Sequence, residues 1–460
     1  MPSPPSEPIA LIDLARRGGR LDRDIATAAG ALRFADFSKA TCLAGAREKL
    51  AGRSVLLFGG DQLTIAAALL ELDGVARRLV LCPPDLNPKH LGEIVATAEA
   101  DAIVHGGEAP PPDLDVALAA PCRPPLRPAD LAALPRLPTE WILLTSGTTG
   151  VPKLVAHDLA TLTGAFAGAP ANGVQNWATF YDIRRYGGLQ IFLRAVAGAG
   201  SLTLTDPGET LDDFIERVIA RGVTHISGTP SHWRRVLMSR VVARFKPAYV
   251  RLSGEIADAA ILGALKELFP SARVAHAYAS TEAGLGFEVN DGEAGFPAAY
   301  LGERDDGFAM KIEDGSLRIR SPRAARRYLG GNAPTLRDAD GFIDTGDMIE
   351  RRGERCIFAG RRGGVINVGG AKVHPEEIEA VINRQAGVRA SLVKARKSPI
   401  AGAVVVADVV LESVAPQEEI VRDAIIAACR AELAPYKTPA IIRFVPKLDM
   451  NTAGKLARDG

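Results

Sequence analysis

The chain has 460 residues, of which 47% are hydrophobic and 24% charged, and its formal net charge is +1 at pH 7. This length predicts about two to four domains, and the near-zero charge excludes nucleic acid or an anionic membrane as a bulk partner. Its five cysteines are far apart without a C-x-x-C motif, as is typical of a reducing compartment. The amino-terminal segment lacks a signal-peptide pattern, and no apolar run reaches the roughly 18 residues of a transmembrane helix. We therefore expect a cytoplasmic protein without membrane insertion.

The first third of the chain alternates predicted strands and helices. Strands are expected at 54–58, 79–82 and 102–104, and helices at 63–72 and 91–100. This alternation predicts βαβ units and a parallel sheet. The Pro- and Ala-rich segment that follows, up to residue 138, is interpreted as a surface connection.

The rest of the chain predicts three further parts. A second α/β region extends from 159 to about 284, and short strands with Gly and Asp turns predict a β-rich part from about 292 to 358. Residues 360–364 are interpreted as a linker, and the last 100 or so residues as a small unit of two helices and two strands. We therefore predict an α/β fold with a large N-terminal domain (1–359) of stacked α/β layers that includes a β-rich subdomain. A small mobile α+β C-terminal domain (360–460) is expected to follow.

The most informative stretch is a hydroxyl- and glycine-rich loop directly after an apolar strand. Its backbone N–H groups and hydroxyls can surround an anion, the glycines allow close approach, and a lysine adds a mobile positive charge. The spacing is not that of a Walker A loop, and a solvated turn is the alternative interpretation. We predict phosphate binding by Thr145, Ser146, Gly147, Thr148, Thr149, Gly150 and Lys153.

Further motifs follow this loop along the chain up to residue 455. The motifs are Ser253-Gly254-Glu255, Tyr278-Ala279-Ser280-Thr281-Glu282, Asp344-Thr345-Gly346-Asp347, Gly360-Arg361 continuing through Gly369-Gly370 to Glu379, and Asn451-Thr452-Ala453-Gly454-Lys455. Together with the loop, and in this order, they resemble the adenylate-forming (ANL) superfamily, which comprises acyl- and aryl-CoA synthetases, adenylation domains and luciferases. The resemblance extends over about two thirds of the chain.

The resemblance implies a binding site for ATP and Mg²⁺. The loop would hold the β and γ phosphates, and Glu282, beside Thr281, would be the Mg²⁺ ligand, since Mg²⁺ prefers carboxylate and phosphate oxygens. Asp347 would accept hydrogen bonds from the ribose hydroxyls with Arg361 donating nearby, and Tyr278 would stack on adenine. The structural alternatives are a helix N-cap pair for Thr281 and Glu282, a turn carboxylate for Asp347 and a core aromatic side chain for Tyr278. The other expected nucleotide-binding residues are Gly254, Glu255, Ala279 and Ser280.

Lys455 resembles the adenylation lysine of this superfamily, which bridges the acid's carboxylate and the α-phosphate. A point charge on a flexible stem suits that role. The resemblance also implies that the C-terminal domain rotates and brings Gly369 and Gly370 to the active site, where they line a pantetheine tunnel. At the hinge, where the family usually has a charged residue, this chain has Gly363-Gly364, which permits rotation without a charge anchor.

The acid pocket departs from the aromatic-His pair that many relatives have. Counting back from Gly198 places Arg184 there, so we predict that Arg184 and Arg185 contact a polar substrate, with Ser253 also lining the pocket. Solvated loop arginines are an equal alternative. Asp182 resembles the aspartate that holds the amino group in amino-acid adenylation domains.

The predicted enzyme is an AMP-forming acid–thiol ligase that uses ATP, Mg²⁺ and coenzyme A to convert a small-molecule carboxylic acid to its thioester. Transfer to the phosphopantetheine of an acyl carrier protein is the closest alternative, and a basic patch of Arg323, Arg326 and Arg327 is its candidate contact. Amino-acid adenylation, or nucleotide binding by a catalytically silent relative, is less favoured by the motifs.

Overall fold

The computed structural model describes residues 8–18, 21–43, 45–107, 110–111, 114–145, 151–166, 173–368, 371–398, 402–412, 415–451 and 454–456. Its largest sheet has eight strands, and the six central strands are parallel to their neighbours, with an antiparallel strand at each edge. Buried β-branched and leucine side chains make such strands apolar on both faces. In sheet order the strands are Gly284–Val289, Arg273–Ser280, Tyr249–Ser253, His225–Gly228, Trp177–Thr179, Leu202–Leu204, Asp24–Ala26 and Ala31–Arg33.

A second sheet of seven strands lies beside the first and contains the predicted βαβ units. Five of its strands are parallel, and the strand that precedes the Thr/Gly loop pairs with the strand that follows the loop in antiparallel register, Thr145 opposite Lys153. This pairing brings both ends of the loop together. The strands are, in order, Arg327–Tyr328, Lys153–His157, Glu140–Thr145, Arg78–Leu81, Ser54–Gly59, Ala102–Gly106 and Leu118–Pro121.

The β-rich part is an antiparallel sheet of six strands, and it is followed by the C-terminal unit, which we define as residues 366–456. The six strands are Phe296–Pro297, Arg355–Arg361, Ile343–Arg352, Ser316–Arg320, Ala309–Glu313 and Gly302–Glu303. The C-terminal unit contains the hairpin Ile366–Val368 and Ala371–Val373 and the three-stranded sheet Val388–Ser398, Gly402–Leu411 and Ile441–Phe444. It has its own apolar core, which includes Val373, Val393 and Ile425.

Helices pack against the sheets, for example Pro375–Ile382 against the strand Val388–Ser398 of the C-terminal unit. Many begin at a polar residue whose side chain accepts a backbone N–H, for example Asp61, Thr210, Thr229 and Asp258. In the described part of the chain, no helix is long and apolar enough to cross a membrane. The α-helices are Leu11–Arg17, Gln62–Leu72, Leu91–Thr97, Leu159–Thr163, Tyr186–Ala197, Leu211–Ala220, Pro230–Val236, Ala259–Leu268, Pro375–Ile382 and Glu418–Glu432. Short 3-10 turns are Phe34–Ser38, Glu48–Leu50, Pro88–His90, Val242–Arg244, Ala298–Tyr300, Arg362–Gly364 and Pro435–Lys437, and Ala40–Thr41 pairs with Arg127–Pro128.

The predicted fold class is confirmed, with local differences. The segment interpreted as a surface connection contributes Leu118–Pro121, which extends the seven-stranded sheet at its edge. Within the segment interpreted as a linker, Gly360 and Arg361 end a strand and a 3-10 turn follows. Sequence patterning also missed Val388–Ser398, whose Lys and Arg residues interrupt the alternation of apolar and polar positions. Pairing with neighbouring strands decided both of these strands.

Candidate active site

A cleft of about 1270 Å³ lies where the carboxyl ends of parallel strands meet the β-rich sheet and the C-terminal unit. Open α/β sheets bind ligands at this edge, because loops and helix N-termini converge there. Strands that end at Thr145, Ser253 and Ser280 supply one side of the cleft, and Arg361 and Lys455 supply the other. The cleft therefore brings together residues that are far apart in the sequence, such as Thr145 and Lys455, which are separated by 310 positions.

One wall of the cleft is formed by the predicted nucleotide-binding residues Tyr278, Asp347 and Arg361. The Tyr278 hydroxyl donates to Asp347 Oδ2 at 2.6 Å, and Arg361 Nε donates to Asp347 Oδ1 at 2.9 Å. Burial and the adjacent Asp347 carboxylate hold the pKa of Tyr278 well above its usual value, so the phenol remains a donor. The ring of Tyr278 lies nearly parallel to Phe287 and Phe358, with both centroids 5.5 Å away. The result is an aromatic wall with a carboxylate at its edge.

Thr281 and Glu282 lie on the same side of the cleft as Lys153. Glu282 Oε1 accepts the Tyr328 hydroxyl at 3.3 Å, and Lys153 Nζ lies 5.2 Å from the Tyr328 ring centroid. Thr281 is fixed by His157, whose Nε2 lies 2.7 Å from its carbonyl oxygen. Burial lowers the pKa of His157 to about 4, so the ring is neutral, and Nε2 must donate because a carbonyl only accepts. A carboxylate and a cation thus face the space beside the Thr/Gly loop.

Lys455 lies in the cleft within residues 454–456, which we call the lysine turn, and hydrogen bonds join it to Asn451. Asn451 Oδ1 accepts the Lys455 N–H at 3.1 Å, and the Lys455 carbonyl oxygen accepts the Asn451 N–H at 2.8 Å. The Lys455 Cε lies 3.5 Å from where a Cβ on Gly254 would stand, so the lysine stem packs in van der Waals distance of this part of the cleft. Lys455 keeps a solvent-facing side, but enclosure by the cleft lowers the pKa of its ammonium group.

Beside Lys455, aromatic side chains line a part of the cleft that sequence reasoning did not find. His232 is stacked on Phe180 at 5.3 Å and is edge-on to Tyr181 at 5.8 Å. Burial lowers the pKa of His232 to about 3, and its Nδ1 lies 3.0 Å from Thr229 Oγ1. The Tyr181 hydroxyl donates to the Ser253 carbonyl at 2.5 Å. The available sequence signal was a Thr-Pro helix start directly after a parallel strand.

The structure separates the residues expected in the acid pocket. Arg184 is 4% exposed, and its Nη2 lies 2.6 Å from Asp182 Oδ2 while its Nε lies 2.8 Å from Oδ1. Neither side chain lines the cleft, contrary to the alignment drawn from Gly198, because this bidentate pair turns each residue toward the other. Asp182 is thereby engaged and does not present its carboxylate to a ligand. Arg185, by contrast, lines the cleft beside Lys455 and also pairs with Asp85.

Part of the predicted site lies outside the described residues. This applies to the central residues of the Thr/Gly loop and to the predicted tunnel glycines. Thr145, Lys153, Ser253, Gly254, Glu255 and the whole segment from Tyr278 to Glu282, including Ala279 and Ser280, do line the cleft. The residues not described are Ser146, Gly147, Thr148, Thr149, Gly150, Gly369 and Gly370.

The chain matches the models of a known enzyme family over most of its length. Residues 54–329 match the AMP-binding enzyme family, and residues 377–455 match the AMP-binding enzyme C-terminal domain. A 2-succinylbenzoate–CoA ligase of Geobacillus kaustophilus strain HTA426 is 29% identical over 411 residues, which cover 84% of this chain and 78% of that protein.

Solved structures show the same fold at lower identity. The anthranilate CoA ligase AuaEII in complex with anthranoyl-AMP superposes with a TM-score of 0.79 at 18% identity, covering 97% of this chain and 95% of that one. A benzoate CoA ligase from Burkholderia xenovorans LB400 gives a TM-score of 0.77 at 19% identity, covering 98% and 99%. The chain therefore belongs to the AMP-binding enzyme family, within the adenylate-forming superfamily that its motifs resemble.

Proposed function

We propose that the protein activates a carboxylic acid with ATP as an acyl-adenylate, releases pyrophosphate, and transfers the acyl group to the thiol of coenzyme A. The observation that carries this proposal is the position of Lys455 in one cleft with the Tyr278–Asp347–Arg361 wall and Glu282. A carboxylate attack on an α-phosphate needs those parts together: a cation between the reacting groups and a fixed nucleotide.

In the first half-reaction the chain's own residues orient the two reactants. The carboxylate oxygen of the acid attacks the α-phosphorus, and the bond to the departing pyrophosphate breaks. Lys455 holds the acid's carboxylate against the α-phosphate by charge, while Asp347, with Arg361 beside it, holds the ribose. Arg361 therefore orients the Asp347 carboxylate for two hydroxyl donors, and Tyr278 provides the surface for adenine.

The chemistry of Glu282 fits one Mg²⁺ ion held jointly with phosphate oxygens. Within the described ranges no three His, Cys, Asp or Glu side chains converge on a point, so the protein would supply one carboxylate and the nucleotide the other charged ligands. Such an ion would neutralise charge on the leaving pyrophosphate. Glu282 is held for this by the Tyr328 hydroxyl and by the His157 bond to the preceding carbonyl.

The acid pocket favours a compact acid with a flat or aromatic body. Tyr181, Tyr186, Gly187 and His232 surround the space beside Lys455, and Arg185 lines the same cleft. Relatives named as 2-succinylbenzoate, benzoate and anthranilate CoA ligases point in the same direction. Amino-acid adenylation is disfavoured, because Asp182 is engaged by Arg184 and lies away from the cleft.

Coenzyme A is the proposed thiol carrier rather than an acyl carrier protein. The basic patch expected to contact a carrier protein is paired within this chain: Arg323 with Asp306 at 3.5 Å, Arg326 with Asp158 at 2.7 Å and Arg327 with Glu140 at 2.6 Å. Those carboxylates neutralise the patch.

We propose that the C-terminal unit moves after adenylation. This movement would withdraw Lys455 from the cleft and admit the thiol of coenzyme A.

The test is ATP–pyrophosphate exchange over a panel of aromatic, fatty and amino acids, followed by thioester analysis with coenzyme A. We expect acid-dependent exchange that is strongest with a compact aromatic acid and that Lys455→Ala nearly abolishes. Transfer from a supplied acyl-adenylate should survive in Lys455→Ala. Absence of acid-dependent exchange in the wild-type protein would instead identify a catalytically silent nucleotide binder.

A further inference from the structure

The carboxylate of Glu255 joins the two parts of the molecule. Its Oε1 accepts the Leu456 N–H at 3.0 Å, and its Oε2 accepts the Ser231 N–H at 2.9 Å. Leu456 directly follows Lys455 in the C-terminal unit, whereas Ser231 lies in the first turn of the helix Pro230–Val236 of the N-terminal part. The Glu255 side chain therefore connects the lysine turn to the helix Pro230–Val236, whose first residues line the cleft.

A second contact holds the same turn from the other side. Thr229 Oγ1 donates to the Gly454 carbonyl oxygen at 2.6 Å. Asn451 is joined to Lys455 by a backbone and a side-chain hydrogen bond. The position of Lys455 therefore depends on how residues 454–456 are docked against the N-terminal part. Glu255 and Thr229 supply hydrogen bonds on either side of Lys455, to residues 454 and 456.

We propose that Glu255 is a positioning residue that docks Lys455 in the cleft for adenylation, and that it acts on the lysine rather than on the nucleotide. This inference rests on the proposed function. Sequence resemblance assigned Glu255 to nucleotide binding, yet each of its oxygens already accepts a backbone N–H. Charge-assisted hydrogen bonds of this kind are about twice as strong as neutral ones. The bond from the Leu456 N–H to Glu255 holds the lysine turn only while the C-terminal unit is docked.

The charge of Glu255 supports the same role. Enclosure lowers the pKa of Lys455, and of the neighbouring charges, Glu255 is the one that opposes this lowering most. The other charged groups that face Lys455 are Asp347, which also favours its protonation, and Arg361 and Arg185, which disfavour it. A carboxylate at 255 therefore both places the ammonium group and favours its charged form.

The test is Glu255→Gln, which keeps the shape of the side chain and replaces one acceptor oxygen with an amide nitrogen. We expect the kcat of acid-dependent pyrophosphate exchange to fall about 10- to 100-fold, the range for losing a charge-assisted hydrogen bond. The KM for ATP should change less than about twofold. The alkaline limb of the exchange pH profile should move to lower pH, because Lys455 loses a neighbouring carboxylate. Amide hydrogen exchange should quicken at Leu456 and Ser231.

Glu288→Gln is the matched control. Glu288 accepts the Tyr249 hydroxyl at 2.6 Å in the same part of the chain and does not line the cleft, so exchange should stay at the wild-type rate. The proposal is overturned if Glu255→Gln raises the KM for ATP at constant kcat, or if it damages exchange and thioester formation from acyl-adenylate equally. Unchanged exchange would overturn it too. Wild-type protein without any acid-dependent exchange would refute the proposed function instead.

Discussion

Replacement of Gly454 by alanine tests whether the lysine turn must dock closely against the N-terminal part. Gly454 has φ +70°, and a Cβ there would lie 1.9 Å from His232 Cε1 and 2.3 Å from Nε2. The His232 ring cannot easily withdraw, because it is stacked on Phe180 and held at Nδ1 by Thr229. A methyl group at 454 must therefore push the turn, and with it Lys455, out of the cleft.

The loss of adenylation rate expected for Gly454→Ala follows from two free-energy costs. An L-residue in the left-handed region costs roughly 1–2 kcal/mol, and moving the turn breaks the Thr229–Gly454 hydrogen bond, worth about 0.5–1.5 kcal/mol. The sum, about 1.5–3.5 kcal/mol, is subtracted from the free energy of docking and corresponds to a loss of about 10- to 400-fold in adenylation rate. Transfer from a supplied acyl-adenylate should change little, because that step does not use the docked lysine.

Pyrophosphate exchange and thioester formation should be measured on the same preparation, with thermal unfolding as a check of folding. Gly353→Ala is the control, since Gly353 has φ +58° with no atom within 4 Å of the added Cβ and incurs only the backbone cost. His232→Ala in the Gly454→Ala background should recover part of the rate by removing the clash, which a double-mutant cycle quantifies. This geometry would be refuted if Gly454→Ala kept the wild-type rate of pyrophosphate exchange, or if the double variant recovered none of the lost rate.

Three further predictions concern other parts of the site. Arg185→Ala should alter acid preference without weakening ATP binding. Arg184→Ala should leave preference unchanged and lower the free energy of unfolding by about 3 kcal/mol, because the Asp182 carboxylate, whose side chain is 13% exposed, loses its ion-pair partner. A urea titration and an acid panel separate these outcomes, and altered preference in Arg184→Ala would contradict the assignment. Exchange should decline as pH rises through the lowered pKa of Lys455, since only the ammonium form is active, so a profile flat beyond the ordinary lysine value of 10.5 would contradict it. Gly370→Leu should block thioester formation while acyl-adenylate accumulates, and equal damage to both half-reactions would remove Gly370 from the thiol path.

Much of the fold was predictable because local patterning and the tertiary contacts agree. The predicted helix at 63–72 is Gln62–Leu72 in the structure, begins at an Asp61 cap and buries Leu69 and Leu72. The strand Val388–Ser398 was missed because its basic side chains mask the alternation, and its pairing with Gly402–Leu411 decides its conformation. Hydrogen bonding to a strand that is distant in sequence can override the local conformational preference of a segment.

The sequence by itself determined the family and the set of reactive groups, because motifs such as Tyr278 to Glu282 and the segment that ends at Lys455 are short runs of residues that can be read directly along the chain. Only the tertiary structure decided which side chains face the cleft. Arg184 and Arg185 are adjacent and chemically identical, yet the distant Asp85 pairs with Arg185 at the cleft, while Arg184 is buried against Asp182. Likewise, Glu255 contacts Leu456 across 201 positions. The physical reason is that hydrogen-bond and ion-pair partners depend on proximity in space, which chain order does not contain.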